Sequence, residues 1–309
     1  MTARMLTCWI VSGSLALLVG CDLLEPRGET TEQEDIVVES YQVAGEPLAS
    51  VRLSESAPLD ETYDFSEQAL SGAEVAIERL EEDGTVAERY AYRERPDTVG
   101  VYEAEDSSVA VEPLGTYRLD VRLPDTDETV TATTVVPDTF QVTDVSATEV
   151  VYQGDDQIEY TVTPSAYPGR DQAFFIFSTE AQEVDKENLT PFFREGFERG
   201  EVELDEFRVT SSPILNESSY EVDEETGRIR IQLPWISIAF YGLNRTRASA
   251  IDDNLFDFVR TQGAQQGGAG LTPGSIPNVI DHVDGGTGVF GSMAEQAQDV
   301  QILPPDAPD

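Results

Sequence analysis

Tyr117, Leu119, Val121 and Leu123 alternate strictly with Arg118, Asp120 and Arg122. A period of two sends successive side chains to opposite faces of a pleated strand, so this run is a strand with one buried and one wet face. It follows the turn Pro113-Leu114-Gly115. The same period recurs in residues 72–80, where Val75 and Ile77 alternate with polar neighbours. That run closes on Asp83-Gly84, a hairpin dipeptide, and Val86, Glu88, Tyr90 and Tyr92 form the returning strand. Short strands at this spacing, with no helical periodicity between them, predict an antiparallel sandwich of immunoglobulin-like size over residues 36–138.

After Phe140 the pattern stays β but changes texture. Ile158, Tyr160 and Val162 alternate, and residues 173–177 (AFFIF) form a continuous apolar run suited to a strand buried on both faces. Ile229, Ile231 and Leu233 alternate before Pro234, and the aromatic residues Trp235, Phe240 and Tyr241 read as core. Residues 181–206, with Phe192, Phe193 and Phe197 among many acids, read as a short helix or a decorated loop. Asp252 or Asp253 caps a helix through about Arg260, with Leu255, Phe256 and Val259 on one face. Residues 263–270 (GAQQGGAG) read as a flexible loop. The expected fold class is therefore mostly β, an N-terminal sandwich (36–138) followed by a second β-rich domain (139–303) with one or two short helices, and a frayed tail over 304–309.

The first twenty residues are of another kind. A short segment carrying Arg4, an apolar run from about Leu6 to Val19, and Leu18-Val19-Gly20-Cys21 have the order of a bacterial lipoprotein signal peptide, with Cys21 as the lipidation site. The apolar run falls short of the roughly 20 residues that cross a bilayer. Residues 21–35 are polar and acidic, a tether by composition. A lipidated cysteine carries two or more acyl chains, enough to anchor the protein stably to a membrane. Because Cys8 lies in the leader and Cys21 is consumed by lipid, the processed chain keeps no thiol, which excludes disulfides and thiolate metal sites.

Charge narrows the function classes. The chain carries 19 Lys+Arg against 60 Asp+Glu, a net charge of -41, and its single lysine is Lys186. Such a field repels polyanions and argues against nucleic-acid binding. Acidity with almost no lysine keeps a surface hydrated in a salty milieu, and the acids are too dispersed to define a cation site.

Catalytic constellations are thin. His282 is the only histidine, so a multi-histidine metal centre is impossible and a serine triad would depend on this residue alone. Asp281 and Asp284 flank it, but a lone loop histidine is more often solvated or structurally bonded. No G-x-S-x-G elbow supplies a nucleophile. Gly285, Gly286 and Gly288 lack the lysine and hydroxyl of a phosphate loop and read as a turn, with Val289 and Phe290 filling the second core. Asp125, Asp127 and Glu128 resemble fragments of a calcium loop without its glycine and distal glutamate, and read as a hairpin tip. With so many acids, paired carboxylates carry no information. No catalytic, cofactor or metal site is expected.

Three blocks carry a family resemblance: GAEVAIERLEEDGT, then GTYRLDVRL continuing into TATTVVPDTF, and IPNVIDHVDGGTGVFGS near the end. Together they resemble domain-of-unknown-function family 4249, envelope lipoproteins typical of Bacteroidota. In the last block Asn278, Gly286, Gly288, Val289 and Phe290 match the family pattern, while VIDHVD departs from it. The resemblance implies an immunoglobulin-like or carboxypeptidase-regulatory-like N-terminal β domain. It further implies an outer-membrane lipoprotein often encoded beside TonB-dependent receptors, and brings no catalytic residues. The expected function is a non-catalytic, lipid-anchored accessory or binding protein, on the periplasmic face or the cell surface, with an outer-membrane receptor as partner and no assigned ligand. The alternatives are a structural or adhesive surface lipoprotein and a carboxylate-based hydrolase.

Overall fold

A computed structural model describes residues 35–57, 64–124, 126, 128–170, 172–200, 203–215, 220–267 and 280–305. The leader, Cys21, residues 21–34 of the tether, Asp125, Asp127, Asn278 and residues 306–309 of the tail lie outside the described residues. No described helix is long and apolar enough to cross a membrane.

The chain opens with β1 (Ile36–Val43) and β2 (Val51–Glu55), followed by the one-turn helix α1 (Phe65–Gln68), whose first turn is capped by the Asp64 carboxylate accepting from the Ser66 amide at 2.8 Å. Next come β3 (Glu74–Leu80), β4 (Val86–Arg95), β5 (Thr98–Ala104), β6 (Thr116–Leu123) and β7 (Glu128–Val135). The hairpin read from Asp83-Gly84 joins β3 to β4, with Gly84 in the left-handed region at φ 80°. β4 serves two layers: residues up to Ala91 pair with β3, and Tyr92 onward pair with β5. One layer therefore holds β1, β2 and β5, and the other holds β3, β6 and β7. Val38, Leu53 and Tyr102 of the first pack with Ile77, Leu119 and Val121 of the second in a single buried cluster. This is a β-sandwich, and each fully buried apolar side chain in it contributes about 1.5–3 kcal/mol relative to exposure.

The outer face of the second layer is also partly covered. Glu78, on β3, receives hydrogen bonds from Arg89 and from Arg118 Nε at 2.9 Å, and Asp120 receives one from Arg89 at 2.8 Å. Glu78 and Asp120 are buried beneath these guanidinium groups. The face expected to be wet is a cross-strand ladder of ion pairs.

The second half of the chain adds β8 (Val142–Val145), β9 (Glu149–Val151), β10 (Glu159–Val162), β11 (Phe174–Ala181), α2 (Pro191–Glu198), β12 (Val209–Ser211), β13 (Glu221–Val222) and β14 (Ile229–Gln232). It closes with β15 (Gly242–Ile251), α3 (Asp253–Gly267), β16 (Val283–Asp284) and β17 (Thr287–Leu303). A four-stranded sheet, β13-β14-β10-β8, covers one face of β11, β15 and β17. Tyr160, Val162, Ile229 and Ile231 of the small sheet share a core with Phe175, Phe177, Ala248 and Ile302. Phe140 meets Phe175 edge to face at 5.2 Å.

β17 links the two cores. It pairs with β15 along one edge, while its other edge pairs in parallel first with β1 and then with β9. The large sheet thus runs unbroken in the order β12-β11-β15-β17-β1-β2-β5-β4-β3-β6-β7-β16. Parallel pairing of the first strand with the last was not anticipated from a sequence read as antiparallel throughout.

Several expectations are corrected. Phe290 is fully buried in the first core, not the second, because β17 enters beside β1 before it pairs with β15. Val289 points to the opposite face, beneath Leu255 of α3. Residues 263–267, expected as loop, continue α3. β11 is fully buried on the side of Phe175 and Phe177, whereas Phe174 and Ile176 are half-buried under α3. Gly288 does more than turn the chain, since it lies inside β17 at φ 111° and a Cβ there would collide with the Val38 carbonyl.

Candidate functional site

The residues singled out near the C-terminus gather where β7, β16 and the start of α3 meet. Thr131, Thr133, Asn254, Asp281, His282 and Asp284 line a solvent-open cleft of about 440 Å³. Asp252 caps α3, its Oδ1 accepting from the Leu255 amide at 2.9 Å. Asn254 follows and donates to the carbonyls of Thr133 and Phe290, both at 2.8 Å, which fixes the helix start against β7 and β17. β16 pairs Val283 with Ala132 of β7.

His282 has a backbone φ of 52°, and its Nε2 lies 2.9 Å from Asp257 Oδ2 on α3. The carboxylates adjacent in sequence are not its partners. Asp281 instead accepts from the Thr287 hydroxyl at 2.7 Å, closing the turn into β17. The hydroxyls that line this cleft belong to threonines of β7, and no serine or cysteine lies among its lining residues. His282 thus ties the segment before β17 to α3. Among the described residues, no three or more His, Cys, Asp or Glu come together as a group that could hold a metal ion.

Deeper in, Asp252 Oδ2 accepts from the Thr134 hydroxyl, whose oxygen lies 2.6 Å from Ser292 Oγ. Ser292 donates onward to the Val135 carbonyl at 3.1 Å. Burial pushes the Asp252 carboxyl up to about 6, against hydrogen bonds from Thr134 and backbone amides that favour its charged form. This network is closed to solvent, so it organises the junction without presenting a reactive group.

A second cleft, of about 490 Å³, opens between α2, the loop before β15 and the end of β17. Thr190 anchors the start of α2 by donating to the Ile238 carbonyl at 3.0 Å, and Pro191 occupies the first helical turn. Phe193 and Phe197 pack on Leu189 and Phe240, while Phe192 is left exposed. One turn along, Arg194 lines the cleft and donates to the carbonyls of Leu189 at 2.9 Å and Glu187 at 3.3 Å. Glu187, Asn188, Tyr241 and Gln301 complete the polar lining, and Pro304 and Pro305 form a wall. Tyr241 packs edge-on to Tyr152 at 5.7 Å, and Tyr152 packs on Trp235 at 5.3 Å. Trp235 and Tyr241, read from the sequence as core, do pack against the second core, and each keeps part of its surface in solvent. Arg194, Asn188 and Gln301 were not singled out, because they come from three separate segments and share no spacing.

The model of a family described as a domain of unknown function, DUF4249, matches residues 22–299. The chain belongs to this family. No curated protein matches it. Among solved structures, DUF4249's member here is similar to Escherichia coli alpha-2-macroglobulin activated by porcine elastase, at 14% identity and a TM-score of 0.22. That match covers 87% of this chain and 23% of the other, so the DUF4249 chain spans under a quarter of its length. The outer capsid protein Hoc of bacteriophage RB49 matches at 10% identity, covering 87% and 70% of the two chains, with a TM-score of 0.22. An I-band fragment of titin matches at 10% identity, covering 87% and 63%, with a TM-score of 0.21. Superpositions this loose carry no argument for the DUF4249 chain.

Proposed function

We propose that this DUF4249 protein is a non-catalytic binding protein of the cell envelope, held by lipid on Cys21 and working beside an outer-membrane TonB-dependent receptor in nutrient uptake. The observation that carries the binding role is the contrast between the two clefts. In the cleft around His282, the imidazole and Asp281 are tied to structural partners, whereas the cleft at Arg194 brings polar side chains and a partly buried tyrosine together where β15 begins and β17 ends. The anchoring role rests on Leu18-Val19-Gly20-Cys21. Fourteen residues lie between Cys21 and Ile36, the first residue of β1, and a chain of that length reaches at most about 50 Å.

A crosslinking pull-down from native membranes, with a tag after Asp309, tests the reading. Recovery of a TonB-dependent receptor at near one-to-one stoichiometry is expected, together with loss of membrane association in Cys21→Ser. Recovery of the lipoprotein alone overturns the uptake role in favour of a structural or adhesive surface protein.

A further inference from the structure

One edge of β17 is paired only at its two ends. It lies beside β1 as far as Met293 and beside β9 from Gln301 onward, while β15 runs along the other edge throughout. Residues 294–300 therefore have a described strand on one side only. Bonds at either end of this stretch show where its backbone groups point. The Met293 carbonyl accepts from the Ala44 amide at 2.8 Å, and the Gln301 amide donates to the Thr148 carbonyl at 2.7 Å. The N–H and C=O of one strand residue point to the same edge, and successive residues alternate. Glu295, Ala297 and Asp299 therefore aim theirs between β1 and β9. On the opposite edge, the Gln298 carbonyl accepts from the Thr246 hydroxyl of β15 at 3.0 Å, as the alternation requires.

Two of the three carbonyls on the open edge are capped from within the strand. Gln296 Nε2 donates to the Glu295 carbonyl at 2.9 Å, and Gln298 Nε2 donates to the Asp299 carbonyl at 3.2 Å. The Ala297 carbonyl and the three amides have no described partner. Ala297 is exposed, as are Gly45 and Glu46 where β1 turns away and Thr148 and Glu149 where β9 begins. About 23 Å of strand edge thus faces solvent, a template on which another extended chain can hydrogen-bond.

The side chains around this edge select what can lie there. Toward the second core stand Ala44 and Ala147, small and half-buried against that cluster. Glu295 lies on the other face, where its carboxylate accepts from the Ser249 hydroxyl at 2.9 Å, and Glu46 and Glu149 mark the two ends. Arg245 holds Asp299, but Glu46, Glu149 and Glu295 form no ion pair with a described residue. An incoming strand meets small apolar groups on one face and uncompensated carboxylates on the other.

We infer that the open edge of β17 between β1 and β9 receives an extended basic segment of another protein as an added strand. Its backbone bonds to Glu295, Ala297 and Asp299, its apolar side chains turn toward Ala44 and Ala147, and its basic ones face the three glutamates. The chain's own tether does not suit this edge. Residues 21–35 carry six acids against Arg27, and they join β1 at the end where Val37 pairs with Thr287, away from Met293. A second copy brings another net charge of -41. The inference assumes neither the lipid nor the receptor proposed above.

Calorimetric titration and residue-resolved hydrogen exchange of the mature lipidated protein in detergent test it. The probe is a short end-blocked peptide alternating lysine and valine, compared with the same peptide methylated at every backbone nitrogen. Methylation keeps the charge and removes the strand's donors. In the free protein, the amides of Glu295, Ala297 and Asp299 are expected to exchange fast and those of Gln296 and Gln298 slowly. The peptide is expected to bind at one per chain and to slow the three fast amides, with the methylated form about tenfold weaker. Ala297→Pro removes an edge donor without breaking a described bond, and is expected to abolish binding. Should proline unsettle the strand, the exposed pair Glu46→Gln and Glu149→Gln supplies a second readout. Their combined change is expected to weaken the peptide several-fold at low salt, with the difference closing at high salt and the melting temperature unchanged. Slow exchange of Ala297 in the free protein, no saturable binding at millimolar concentration, or equal binding of the methylated peptide overturns the inference. Self-association of the peptide-free protein that Ala297→Pro abolishes also overturns it, by assigning the edge to a second copy.

Discussion

The Thr134 hydroxyl sits 2.5 Å from the Asp252 carboxylate, joining residues 118 positions apart in a part of the molecule closed to water. Thr134 belongs to β7 at the far end of the first sandwich, and Asp252 stands between β15 and α3 in the second half of the chain. Ser292 of β17 completes the contact, and its hydroxyl reaches the Val135 carbonyl. When Asp252 carries a proton, each hydroxyl donates once along the line Asp252, Thr134, Ser292 and Val135. When it is ionised, Thr134 must donate to the carboxylate and the line loses a donor. Burial favours the neutral form and outweighs the hydrogen bonds from Thr134 and the backbone amides, which favour the charged one.

That preference gives a pH dependence with a definite sign. The Asp252 carboxyl is raised from its ordinary 3.8 to about 6 in the folded protein. A raised carboxyl contributes stability that is fully present below its unfolded value and is lost as pH rises through the folded one. Asp252→Asn keeps an acceptor for the Leu255 amide and removes the titration. Unfolding measured in denaturant from pH 4 to pH 7 should show the variant gaining on the wild type by about 2 kcal/mol across that window. A difference that stays constant with pH would remove Asp252 as the titrating group.

Opposite behaviour is expected of Glu78 at lower pH. Burial alone would raise its carboxyl, but hydrogen bonds and charge from Arg118 and Arg89 outweigh burial and hold it below its ordinary 4.5. Its contribution is present above that ordinary value and is lost as pH falls through the lowered one. Both arginines keep substantial solvent contact, so Glu78→Gln should cost about 1–3 kcal/mol at neutral pH, with the deficit shrinking below pH 4. Denaturant titrations of both proteins at neutral and acid pH check this, and a deficit that persists unchanged at acid pH counts against the ladder.

Phe290→Ala should cost about 3–5 kcal/mol, since the ring is fully buried. Its neighbours predict where the damage falls. Phe290 packs with Val38, Leu53 and Val130, so hydrogen exchange should accelerate first in β1, β2 and β7, with β10 and β14 protected longer. Faster exchange in β10 and β14 first would return Phe290 to the second core.

What the sequence reveals and conceals follows from distance along the chain. The hairpin of β3 and β4 and the strand β6 are legible because their period of two and the Asp83-Gly84 turn are local signals. Asp252 as a helix cap is legible for the same reason. The pairing of Val38 with Gly288 joins opposite ends of the chain, and nothing in the composition of either strand names the other. Phe290 was therefore given to the wrong core. Gly263 and Gly267 suggested a loop because glycine is a poor helix former, yet α3 continues through them.

Gly288 gives the sharpest test of the parallel joint between the chain's first and last strands. Its φ of 111° is costly for any residue with a Cβ, and a Cβ there would also strike the backbone of Val38, which sits in the paired strand and cannot swing away. Gly288→Ala should therefore destabilise the protein by more than the roughly 1–3 kcal/mol of backbone strain alone. Since β17 also carries Ala294, Val300 and Ile302 into the second core, a local failure at β1 should propagate along that strand. A thermal melt of Gly288→Ala should show both halves of the molecule losing stability together, followed by tyrosine signals in the first sandwich and by Trp235 in the second. If the first sandwich alone weakens, β17 does not couple the two cores, and the continuous sheet is a geometric fact without an energetic counterpart.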